Sequence, residues 1–121
     1  MKFDDLGLMP ELLRAVADTG YTQPTPIQTA TIPIALSGRD VIGCAQTGTG
    51  KSAAFCLPAL QMAHAVSGDK PSLHTLILTP TRELAAQVET AFRDYGRFTD
   101  LRVSLVHGSC FRYSTPATLV I

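Results

Sequence analysis

Residues 45–52 read Ala45-Gln46-Thr47-Gly48-Thr49-Gly50-Lys51-Ser52. An apolar run containing Val41, Ile42 and Cys44 precedes this octapeptide, and a helix-compatible stretch follows it. A triphosphate needs converging backbone N–H groups, which side chains with a Cβ obstruct; Gly48 and Gly50 relieve that obstruction. The N-terminus of the following helix adds partial positive charge. Lys51 supplies a full charge to the β and γ phosphates, and the Ser52 hydroxyl is placed to ligate Mg²⁺. The pattern G-x-x-x-x-G-K-[ST] is met except at its first position, where Ala45 stands for glycine. Alanine is the smallest alternative, so the loop should survive. The competing reading is a glycine-rich turn that merely precedes a helix. The strand before it and the Lys-Ser offset argue against that reading.

The rest of the chain sets the limits. Its 121 residues leave room for one domain with a modest core. Apolar residues make up 45%, which indicates a globular chain. Ten basic and ten acidic side chains cancel, so net charge demands no nucleic-acid partner but permits a local basic face. Cys44, Cys56 and Cys110 are odd in number and lack C-x-x-C spacing, which predicts a reduced, cytoplasmic protein. His107 and Cys110 are three apart, but no second pair completes a metal site, so a structural or loop role is expected. No apolar run is long enough to span a bilayer, and the N-terminus is no signal peptide.

Periodicity predicts helices over Pro10–Thr19, from Pro26 to Ser37-Gly38, over 51–66 and over Arg82–Tyr95. Pro33 is expected to kink or break the second, and Pro58 to disturb the third. Leu84, Val88, Ala91, Phe92 and Tyr95 form the apolar stripe of the fourth. Strands are expected over Asp40–Cys44, Leu73–Thr79 and Leu101–Val106, with a strand-like run at Leu119–Ile121. Leu76, Ile77 and Leu78 are continuous, which predicts burial on both faces. Strands alternating with helices imply an α/β unit with a mostly parallel sheet flanked by helices.

Two further segments narrow the reading. Gly20-Tyr21-Thr22-Gln23-Pro24-Thr25-Pro26-Ile27-Gln28 lies upstream, with Phe3 before it, and Pro80-Thr81-Arg82-Glu83-Leu84-Ala85-Ala86-Gln87 lies downstream. With residues 45–52, these resemble the Q motif, motif I and motif Ia of the DEAD-box ATP-dependent RNA helicases, in order and spacing, over about residues 1–108. The resemblance implies an incomplete RecA-like P-loop domain: a Q-motif region (1–38), a P-loop core (39–108) and a divergent tail (109–121). It implies an ATP/ADP and Mg²⁺ site from Phe3, Tyr21, Thr22, Gln28, Ala45, Gln46, Thr47, Gly48, Thr49, Gly50, Lys51 and Ser52. It also implies RNA-backbone contacts from Pro80, Thr81, Arg82 and Gly108. The amide of Gln28 suits this role, because it can pair with the N6 amino group and N7 of adenine, whereas guanine offers O6 instead. Taken alone, Gln28 would be a helix-surface glutamine and Phe3 an apolar anchor. Thr81 and the helix start behind it suit phosphate contacts, which carry no sequence information. Ser109 departs from the paired-glycine motif that Gly108 resembles.

Other expected parts are missing. No Asp-Glu-Ala-Asp run occurs, so the carboxylates that hold Mg²⁺ and orient water in the family have no counterpart. The second helicase domain is also missing. After Gly108 the resemblance fades, and the chain reads as a truncation, an expressed piece or a frameshifted remnant. In the family two strands stand between those of motif I and motif Ia. Their absence predicts a sheet that is rearranged or completed by a second copy. Three functions remain open: the ATP-binding portion of an RNA helicase that neither hydrolyses nor unwinds alone, a non-catalytic nucleotide or RNA binding module, and an oligomerising structural remnant.

Overall fold

A computed structural model describes residues 1–46, 48, 50–66 and 73–106, together with the backbone pairing of residues 119–120. A 3-10 turn, Phe3–Leu6, leads into α1 (Pro10–Asp18), α2 (Pro26–Leu36) and α3 (Lys51–Val66). β1 (Thr75–Leu76), α4 (Arg82–Tyr95), β2 (Val103–Ser104) and β3 (Leu119–Val120) complete the order.

The helices form where the period of 3.6 gathers apolar side chains. In α1, Leu12, Ala15 and Val16 share the buried face, and Pro10 sits in the first turn, where a missing N–H costs nothing. In α4 the buried stripe is Ala85, Val88, Phe92 and Tyr95, so Ala85 turns inward where Leu84 was expected, and Leu84 is exposed. α3 packs against α2 and α4, while α1 packs against α4. Leu12, Ile32, Leu57, Leu60 and Phe92 meet at the fully buried centre. No described helix is long and apolar enough to cross a membrane.

α2 runs unbroken through Pro33. Proline removes one hydrogen bond to the preceding turn. Here Pro33 is exposed and only one turn from the helix end, and the Pro33 carbonyl still accepts from the Ser37 N–H at 3.1 Å.

The sheet is parallel, in the order β1-β3-β2, with Thr75 and Val103 both opposite Leu119 and with Leu76 and Ser104 both opposite Val120. The tail strand thus lies at the centre, between β1 and β2. The expected strand over Asp40–Cys44 is absent from it, and Ile42 is 96% exposed. An extended segment becomes a strand only when a neighbour takes its N–H and C=O groups. None of the described strands does so here. Burial of the Leu76–Leu78 run on both faces is also overturned. Thr75, Ile77 and Thr79 are half-buried, while Leu76 and Leu78 are 64% and 85% exposed. This period-2 alternation marks a sheet that, among the described residues, has helices on one face only.

Candidate functional site

The loop over residues 45–52, the candidate phosphate loop, is built by backbone shape. Gly48 and Gly50 have φ of +83° and +79°, the left-handed region that disfavours any side chain. α3 begins directly after them, so its first N–H groups lack partners in the preceding turn and face the loop. Lys51 Nζ donates to the Ala45 carbonyl at 3.0 Å, which closes the loop across its mouth. Ser52 is exposed in the same helical turn. Gln46 is engaged within the structure, while Thr47 and Thr49 lie outside the described residues.

Gln28 is wholly buried, at 0% exposure. Its Oε1 accepts from the Thr25 N–H at 3.0 Å, and its Nε2 donates to the Gly50 carbonyl at 3.0 Å. The first bond closes half of a capping box on α2. The second ties α2 to the phosphate loop. A Cβ added at Gly50 would run into this amide and would stand 3.2 Å from the Thr25 methyl carbon. The Thr25 hydroxyl is buried beside the loop without a hydrogen bond. An orphaned hydroxyl next to a glycine cradle, a lysine and a serine fits a nucleotide with its cation. Ser52 is the residue whose hydroxyl oxygen could hold such a cation.

Phe3 is 6% exposed and belongs to the central cluster with Leu12 and Ile32. Tyr21 is 43% exposed and Thr22 is exposed. Burial raises the Tyr95 phenol above its ordinary range, and the charge of Tyr21 and a hydrogen bond with it add to the effect. The loop before α2 therefore leans on the end of α4.

At the other end of α4, the Thr81 Oγ1 accepts from the Leu84 N–H at 3.1 Å and caps the helix. The hydroxyl proton remains available to a phosphate oxygen. Pro80 and Arg82 are exposed beside it, and Gly108 lies outside the described residues. A cleft of about 400 Å³ flanks the loop on the α2–α3 side, with Lys51, Ile27, Phe55 and His74 in its wall.

Sequence reasoning missed the Gln28–Gly50 bracket, since a capping glutamine and a loop carbonyl give no joint signal. It also missed Gln61, whose side chain reaches back to residues 7 and 9.

Residues 25–117 match the family model described as DEAD/DEAH box helicase, a match that runs past Gly108. Over 106 residues the chain is 51% identical to the DEAD-box ATP-dependent RNA helicase 28 of Oryza sativa subsp. japonica, covering 88% of this chain and 13% of that protein. The solved structure of the RNA-helicase Prp28 from Chaetomium thermophilum bound to ADP superposes with a TM-score of 0.88 at 38% identity, over 98% of this chain and 31% of that one. S. cerevisiae Dbp5 bound to RNA and ADP BeF3 gives a TM-score of 0.88 at 32% identity, over 99% of this chain and 31% of that one. The chain thus spans under a third of the length of these relatives.

Proposed function

The chain belongs to the DEAD/DEAH box helicase family, and from that membership we propose that residues 45–52 hold the phosphates of an adenine nucleotide while the start of α4 touches an RNA backbone. The fold is the RecA-like α/β arrangement of its structural neighbours. One observation carries the reading: both glycines of the loop are left-handed, at the mouth of the helix that bears Lys51 and Ser52.

Each residue has a task in this reading. Lys51 leaves the Ala45 carbonyl and neutralises phosphate charge. Ser52 would hold Mg²⁺, whose chemistry there would be charge screening. The α3 N–H groups complete the anion site. Gln28 holds the carbonyl of Gly50 and thereby the loop shape. Its amide turns toward adenine only if a nucleotide draws it from its buried seat, and Phe3 must likewise gain an open edge to stack on the base. Thr81 and Arg82 offer a hydroxyl and a charge to RNA phosphates, with no sequence preference.

Binding without turnover is the activity proposed for this chain. In-line phosphoryl transfer needs carboxylates that hold the cation and orient water. The sequence has no Asp-Glu-Ala-Asp run to provide them. The test is titration with a fluorescent ATP analogue in Mg²⁺, with the matching GTP analogue alongside. Tighter ATP binding is expected. Lys51→Ala should weaken it by about 10- to 100-fold, the loss of one charge-assisted bond. Equal weak binding by both proteins sinks the phosphate site. Turnover that rises with RNA and vanishes in Lys51→Ala refutes the non-hydrolysing part.

A further inference from the structure

We propose that Gln61 is a positioning residue for nucleotide-base preference, acting through the N-terminal segment that carries Phe3. The proposal deepens the nucleotide site described above and rests on that reading. Gln61 lies in the third turn of α3, the helix whose first residue is Lys51. Its Oε1 accepts from the Met9 N–H at 2.7 Å, and its Nε2 donates to the Gly7 carbonyl at 2.9 Å. One amide therefore holds both sides of the bend between the Phe3–Leu6 turn and α1. Gly7 is the bend itself, with φ of +84°.

This bracket fixes orientation more than it fixes stability. The segment is already anchored by Phe3, Leu6 and Leu8, all buried in the core. The Gln61–Gly7 bond is exposed and the Gln61–Met9 bond part-buried, beside a shallow pocket, so water can replace the amide at both ends when it is removed. What water cannot replace is the direction. Gln61 holds the segment at a fixed distance from Lys51, along one rigid helix of about 1.5 Å rise per residue. A base held near Phe3 and phosphates held at Lys51 then meet a preset spacing, and preset spacing is what separates specific from merely tight binding.

The experiment compares fluorescent ATP and GTP analogues on the full chain, on Gln61→Leu, Gln61→Glu and Phe3→Ala, and on the Gln61→Leu/Phe3→Ala pair. Melting temperature and the exchange of the Met9 amide are recorded for each. Gln61→Leu should lower the ATP-to-GTP preference by about fivefold, roughly the weight of one hydrogen bond, and expose the Met9 amide. Gln61→Glu keeps the acceptor for Met9 and should retain part of the preference. Adding Gln61→Leu to Phe3→Ala should lose nothing more, since Gln61 acts through the segment that carries Phe3. A preference unchanged in Gln61→Leu but lost in Phe3→Ala overturns the proposal, as do equal losses for both nucleotides or fully additive effects. No preference in the unsubstituted chain instead overturns the base reading on which the proposal stands.

Discussion

Gly50 answers to two constraints at once: a left-handed backbone and the Gln28 amide against the place where its Cβ would sit. Gly48 has the same backbone but open space around it. Both alanine variants should lose about 1–2 kcal/mol for the left-handed turn. Gly50→Ala should lose more, and with it nucleotide binding, because Gln28 must give way. Urea unfolding of the two variants separates the effects. Two other residues tie stability to pH. Burial pushes the Cys56 thiol upward, and burial with the charge of Tyr21 does the same for the Tyr95 phenol. Both stay protonated in the fold, whereas the unfolded chain ionises them above about pH 8.5 and about pH 10. The folded state then holds more protons, so stability falls as pH rises. The contribution is whole at neutral pH, and the urea midpoint should drop between about pH 8.5 and 11. A flat midpoint there contradicts the burial of these groups. At this scale the sequence showed the glycine-rich turn before α3 well, since glycine and lysine spacing is local. It did not show that Gln28 would be buried, because burial depends on what α3 and the loop bring to it.

Among the elements, α4 is the one with a task at each end. Thr81 caps it and Arg82 opens its first turn, while its last turn lies near Tyr21. Thr81→Ala removes the cap and should cost about 1 kcal/mol, whereas Thr81→Ser keeps the hydroxyl and should stay close to the parent. If the same hydroxyl also meets RNA, Thr81→Ala should weaken RNA binding beyond the loss of stability, as measured by salt titration of a short single strand. Arg93 pairs with Glu89 within α4 and donates to the Val103 carbonyl, which joins α4 to β2, but both bonds are exposed and add little. α1 and α4 were readable nearly to their ends, because an apolar face at 3.6-residue spacing needs no distant partner to declare itself. The strands were not. Leu73–Thr79 shrinks to Thr75–Leu76, and Asp40–Cys44 is no strand at all, since a ladder exists only where a second chain segment arrives.

For the whole molecule, the exposed apolar residues at the sheet are the main consequence. Ile42, Leu76 and Leu78 are exposed apolar residues, the last two on or next to β1, a pattern that favours association. We propose pairing of two copies through these segments. Light scattering at tens of micromolar, by the usual scale of weak contacts, should give a mass above the monomer, and Leu78→Lys should lower it. A monomer throughout rules the pairing out. The sequence by itself determined the α/β class, the left-handed glycine loop and the helix that starts at Lys51, because each is written in neighbouring residues. Only the tertiary structure decided that the tail strand lies between β1 and β2, that Gln28 and Gln61 grip distant backbone, and that Leu76 and Leu78 stay exposed. Those outcomes depend on which segments meet in space, and local spacing carries no record of that.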